Sequence, residues 1–297
     1  MIAIDLGSNT IRFLAVDQNG NELWERQFVV RTAENLAQSG EIGQAALDRV
    51  AEAFAAARAE FDFSPHKVAA VATEAFRRAK NQKAALKFLS DNCGADFEVI
   101  SAQTEARLAA AATAQSARRK GLKEPFISLD IGGASSEIAY TNGDIFRFIS
   151  LPIGIVTIAE SQLDDQALDR RLNDELKALD AFKREISDLP RAQMIATAGA
   201  PTTLAAVKLG LTYENYDKRL INGVVLSAGE IIVIREKLKS LDRAELEKLT
   251  GKDRGDLVIV GAAMLRYFMI ALGYEQTAVF DEGLREGVAA AAFQKLA

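Results

Sequence analysis

The stretch LDIGGASSEIAY, residues 129–140, decides the fold. An apolar run closes on Asp130, two glycines and an alanine follow, then two serines, and Glu137 sits inside the next apolar run. Glycine and serine after a strand let backbone N–H groups approach an anion closely. A carboxylate at each end of such a loop repels phosphate unless a cation lies between. Mg²⁺ suits that gap, because it takes one or two carboxylates and fills its octahedron with water and phosphate oxygens. Asp130 and Glu137 are therefore candidate metal residues, with the glycines between them for phosphate. The plain alternative is a β-turn followed by a surface glutamate.

The N-terminus carries a second copy of the pattern. Asp5-Leu6-Gly7-Ser8-Asn9-Thr10 aligns with Asp130-Ile131-Gly132-Gly133-Ala134-Ser135, and in this alignment Arg12 falls opposite Glu137. Each copy has an apolar strand before it and another after it. Further on, ATEAF from Ala72 lines up loosely with ATAGA from Ala196. Self-similarity at this distance predicts two related α/β halves facing each other, and a groove between halves is a natural ligand site.

The rest of the chain fits two such programs. MIAIDLG, IRFLAVD and NELWERQFVV read as three strands, and Ala45 to Phe61 has helical spacing with Leu47, Val50 and Phe54 on one face. KVAAVAT is a strand, NQKAALKFLSDN a helix, FEVIS a strand, and Gln103 to Lys120 a helix stopped by Gly121. RRKGLKEP is the best boundary, giving domains 1–120 and 121–297, with the last helix able to pack back on the first. The strand program then restarts with PFISLDIGG, SSEIAYTNG and DIFRFISLP, TNGD forming a hairpin turn. Helices dominate afterwards, with strands near AQMIATAG and EQTAVF. The apolar region Leu257 to Tyr274 is interrupted by Arg266 and reads as a buried helix, not a membrane span.

Composition narrows the chemistry. The chain has 297 residues, 49% apolar and 26% charged, with a net charge of −5. That balance suits a two-domain globular protein and argues against broad nucleic-acid binding, while leaving room for local basic clusters. Cys93 is the only cysteine and His66 the only histidine, so a disulfide, a cysteine zinc site and a histidine-rich metal site are excluded. No basic leader precedes Asp5. A cytoplasmic setting is expected, with no nucleic-acid or membrane partner.

DLGSNTIR, ATEAFRRAKN, ISAQTEAR, LDIGGASSE, ATAGAPTTLAA and GLREG occur in this order from Ile2 to Gly287. Together they resemble the exopolyphosphatase / guanosine pentaphosphate phosphohydrolase (Ppx/GppA) family of the actin, sugar-kinase and Hsp70 superfamily. The resemblance implies two ribonuclease H-like domains across a cleft. It implies hydrolysis of a terminal phosphoanhydride by water with a divalent cation, Mg²⁺ or another. Polyphosphate or guanosine pentaphosphate would be the substrate, and a homodimer is compatible with it. By motif position the catalytic glutamate is Glu105. Ser8, Asn9, Arg12, Gly132, Gly133 and Ser135 would contact phosphate, Arg77 would be a further phosphate residue, and Asp130 and Glu137 take the acidic metal-associated positions.

Glu105 also admits an independent argument. It follows the strand FEVIS in the first turns of a helix, where its side chain can reach a groove. An ordinary glutamate is a weak base at neutral pH; nearby phosphate strengthens it and a metal opposes that. Stabilisation of its own helix N-terminus is the competing role. Arg31, Arg78 and Lys80 are weaker basic candidates, and Lys218-Arg219 reads as surface charge.

The chain departs from the family pattern at Ala134 and Ala102, where glycine is usual, and at Ala200, Pro201, Val224, Val225 and Phe280. Pro201 lacks an N–H, so one anion donor is lost. An additional C-terminal helical domain of longer members has no counterpart, and weaker processivity on long chains is expected. Two other readings share the fold: a non-hydrolysing alarmone or nucleotide sensor, and a sugar-kinase-like phosphotransferase.

Overall fold

In a computed structural model, describing residues 1–161 and 165–294, the chain divides into two units. The first is Met1–Ala112 together with the last helix from Leu284, and the second is Thr113–Gly283. The division falls within the helix Ala102–Arg119, ahead of the polar loop at 120/121.

The first unit holds β1 (Ile2–Leu6), β2 (Thr10–Val16), β3 (Glu22–Val29), β4 (Val68–Ala72) and β5 (Phe97–Val99) in the order β3-β2-β1-β4-β5. Tight turns make β1, β2 and β3 an antiparallel meander, and helical crossovers bring β4 and β5 in parallel. Alternation along β2 sorts its side chains. Phe13 enters an aromatic cluster with Trp24, Phe28, Phe54 and Phe63. Leu14 and Val16 face the other way, into a core with Ala3, Val71, Ile100, Leu284 and Val288. The last helix, Leu284–Gln294, supplies the cover on that face.

The second unit holds β6 (Phe126–Ile131), β7 (Ser136–Asn142), β8 (Ile145–Leu151), β9 (Gln193–Thr197), β10 (Val224–Ser227) and β11 (Gln276–Val279) in the order β10-β11-β9-β6-β7-β8. Taken from β8, the series β8-β7-β6-β9-β11 repeats the first sheet, with β10 added antiparallel at the edge. The internal repeat is therefore a repeat of topology. It extends to register, since Asp5 pairs with Arg12 across β1–β2 and Asp130 with Glu137 across β6–β7. The match of Ala72 with Ala196 holds on one side of the strand only: Ile100 N–H donates to Ala72 O and Phe280 N–H to Ala196 O. On the other side, Ala72 stands opposite Leu6 but Ala196 opposite Leu129, two positions earlier in the second copy.

β10 is the strand that sequence patterning does not find. It is four residues long, Val225 is exposed, and Ser227 already begins the next helix through a reciprocal cap with Glu230. The apolar helix Gly255–Leu272 is long and apolar enough to cross a membrane, and half of it is buried against the helices Ala228–Ser240, Gly199–Lys208 and Ile155–Ala159.

Candidate functional site

The β1–β2 turn is closed by Gly7 N–H donating to Thr10 O at 2.9 Å. The carbonyls of its loop are turned into residues 30–33. Thr32 Oγ1 donates to Gly7 O at 2.8 Å, Ala33 N–H to Ser8 O at 2.9 Å, and Val30 and Arg31 N–H to Asn9 O at 2.9 and 3.0 Å. With the acceptors fixed, the N–H groups of Ser8 and Asn9 are the donors left to a ligand. The Asn9 side chain is buried, and among the described residues its Oδ1 has no hydrogen-bond partner. Arg31 holds this arrangement in a left-handed conformation, φ 49°, that costs a non-glycine residue about 1–2 kcal/mol. Its backbone, braced on Asn9, has a structural role.

Arg12 projects from β2 beside Asp5 and donates through Nε to Gln27 Oε1 at 3.0 Å, its cross-strand neighbour on β3. Asp5 is the equivalent of Asp130 and is itself buried. Sequence reasoning aligned it without giving it a role.

Glu105 lies in the first turn of the helix Ala102–Arg119 and accepts from Arg77 Nη1 at 2.6 Å. Arg77 also donates Nε to Glu74 at 2.9 Å and Nη1 to Ile100 O at 2.9 Å. Glu105 and Arg77 side chains are only 13% and 17% exposed, so the pair is shielded enough to fix geometry. Burial works to lower the Arg77 pKa, but Glu105 and Glu74 outweigh it and the guanidinium is held above its ordinary value. Arg77 thus orients the glutamate in this state, besides any contact with phosphate. Glu74 is a residue that motif reading missed, although its i,i+3 spacing to Arg77 on one short helix is the visible signal.

In the second unit, four residues on adjacent strands form one row: Thr197 on β9, Asp130 on β6, Glu137 on β7 and Ser150 on β8. Directly opposed residues share a face, with Cβ atoms about 4.5–5.5 Å apart. Asp130 and Glu137 are therefore side-by-side carboxylates. Ser150 Oγ donates to Glu137 Oε1 at 2.7 Å, and Thr197 Oγ1 donates to Glu282 O at 2.9 Å. Among the described residues no set of three or more acidic, histidine or cysteine side chains forms an all-protein metal cage. The pair fits Mg²⁺, which keeps waters and takes substrate oxygens, better than a cation needing six protein oxygens.

The loop after β6 mirrors the first turn, with Gly132 N–H donating to Ser135 O at 2.9 Å. A Cβ on Gly132 would stand 2.9 Å from that same oxygen. The carbonyls of Gly132 and Gly133 accept from Ile155 and Val156 N–H at 3.0 and 2.8 Å, so this loop too is held by its acceptors. Ser135 is buried at its end.

The departures from the family pattern fall mostly inside. Ala134, Ala200 and Phe280 are buried, Phe280 in a core with Phe126 and Ile195. The Ala134 methyl is thus shielded from solvent. Pro201 lies in the first turn of the helix Gly199–Lys208, where an N–H has no helical partner to lose. Ala198, just before it, has φ 76° and ψ 177°, a region populated almost only by glycine.

Comparison with known proteins agrees with this anatomy. A model of the Ppx/GppA phosphatase family matches residues 15–296. Exopolyphosphatase 2 of Mycobacterium tuberculosis is 24% identical, over 97% of this chain and 96% of that protein. The crystal structure of the Aquifex aeolicus Ppx/GppA family member is similar with a TM-score of 0.72 and 26% identity, covering 99% of this chain and 97% of that one. An exopolyphosphatase from Cytophaga hutchinsonii, at 21% identity, shares the fold with a TM-score of 0.83 over 99% and 97% of the two chains.

Proposed function

The chain belongs to the Ppx/GppA phosphatase family, and from that premise we propose that it hydrolyses the terminal phosphoanhydride of inorganic polyphosphate or guanosine pentaphosphate. The observation that carries this reading is Glu105, shielded and fixed by Arg77 at the start of its helix. A base must be positioned before its strength matters.

In this mechanism the amides of Ser8 and Asn9 hold phosphate oxygens, and Arg12 offsets their charge after leaving Gln27; in the second unit the loop Gly132–Ser135 is proposed as a phosphate loop in its own right. Glu105 orients a water and takes its proton as the oxygen bonds to the terminal phosphorus. The bond from phosphorus to the bridging oxygen breaks, and the shortened chain leaves with that oxygen and its electron pair. Asp130 and Glu137 would hold a divalent cation, which when bound supplies charge stabilisation to phosphate oxygens. Ser150 fixes the Glu137 carboxylate for that task.

Phosphate release from polyphosphate and from guanosine pentaphosphate, side by side with and without Mg²⁺, tests the reading. Release from neither, with tight binding of either, would favour a non-hydrolysing sensor instead. Asp130→Asn should shift the Mg²⁺ concentration for half-maximal release upward by about tenfold or more, because one of two carboxylates loses its charge. An unchanged Mg²⁺ titration would place the metal elsewhere.

A further inference from the structure

A pocket of about 430 Å³ opens beside Arg77, where the helices Glu74–Arg78 and Gln82–Cys93 meet. Small-ligand sites span roughly 300–1,000 Å³. Its wall carries Arg77, Lys80 and Lys83 with Asn81 and Gln82, and no carboxylate. Charge pairing sets it apart from the surface around it. In the same unit Arg26, Arg49 and Lys87 meet Glu60, Glu34 and Asp91. Among the described residues no ion pair engages Lys80 or Lys83, and both are exposed.

The pocket is also braced. Asn81 exchanges hydrogen bonds with the Ile42 backbone at 2.9 and 3.0 Å, and Gln82 Nε2 donates to Phe76 O at 2.8 Å. Lys80 N–H donates to Gly40 O at 2.9 Å, and its side chain lies across Gly40, where a Cβ would stand 2.9 Å from Lys80 Cε. Lys80 and Lys83 thus both line one pocket whose wall carries no carboxylate, a concentration of like charge that an anion relieves. Arg77 joins this surface to Glu105, since the same side chain lines the pocket and grips the glutamate.

Resting on the proposed phosphoanhydride hydrolysis, we infer that this pocket is a second phosphate subsite, holding non-reacting phosphates of an extended polyphosphate chain on Lys80 and Lys83. Chain-length preference is then set here, away from the reacting end. A substrate too short to extend from Glu105 onto both lysines gains nothing from them.

The test compares the intact wild-type protein with K80Q/K83Q on polyphosphate of several tens of units and on tripolyphosphate. KM for the long chain should rise about tenfold or more at low salt, and that for tripolyphosphate by less than about threefold. The single variant K83Q, in the exposed first turn of its helix, should show a smaller rise of the same kind. Equal changes for both substrates, or none for the long chain, would overturn the subsite. If the wild type releases no phosphate at all, the hydrolytic reading fails and calorimetric titration with the long chain judges the pocket alone. Weaker binding by K80Q/K83Q then supports it, and equal binding overturns it.

Discussion

Glu105→Gln should lower kcat for phosphate release by about 10²–10⁴-fold, the range general-base catalysis contributes, and leave substrate binding largely intact. The substitution keeps the side-chain volume and an oxygen that can accept from Arg77 Nη1, now at 2.6 Å. Arg77 retains Glu74 and the Ile100 carbonyl, so the guanidinium is not stranded without a counter-charge. The variant should therefore fold, with unfolding monitored by circular dichroism as the control. A proton acceptor is what it lacks, so the loss should fall on kcat and leave KM largely unchanged. Arg77→Met provides the contrast. It frees the glutamate without removing it, so activity should fall by less. Wild-type turnover in Glu105→Gln would remove this residue from the base role and return it to capping its own helix.

The paired Asp-x-Gly turns were legible because both signals are local. A strand that ends in an acid and a glycine turn is written in consecutive residues, and its recurrence at Asp5 and Asp130 gave the duplicated topology and even the Arg12–Glu137 equivalence. Features made by the partners of those turns were not legible. Ser150 touches Glu137 through strand register, and nothing in FISLP marks it beforehand. The Glu74–Arg77–Glu105 chain joins two segments whose contact is tertiary, so the carboxylate partners of Arg77 could not be read from its motif. Burial was equally invisible. Ala134 stands where the family has glycine, and that its side chain is buried could not be read from the sequence.

Gly154→Ala should be the most damaging single methyl addition near the second loop. Gly154 has φ −143° and ψ 169°, extended backbone that alanine adopts freely, so the penalty is steric and not conformational. A Cβ there would lie 2.3 Å from Gly133 C and 2.4 Å from both Gly133 O and Ala134 N. These are backbone atoms, and no side chain can swing aside to admit the methyl. The loop must move, and with it the bonds that Ile155 and Val156 N–H make to Gly132 and Gly133. Overpacking costs about 1–3 kcal/mol, and each weakened hydrogen bond adds about 0.5–1.5 kcal/mol. In a unit of this size each kcal/mol lowers Tm by about 2–4 °C, so a fall of roughly 4–24 °C is expected. Displacement of a positioning loop by an ångström can cost about 10²-fold in rate, so kcat/KM should fall by that order even at temperatures where the protein stays folded. The two readouts separate causes. Loss of Tm with full activity of the folded fraction would mean that Gly154 only packs, and that the amides of Gly132 to Ser135 do not hold substrate. Unchanged Tm and unchanged rate would show that the loop does not press on Gly154 in solution. The combined loss is what a phosphate loop braced from behind by a glycine contact requires.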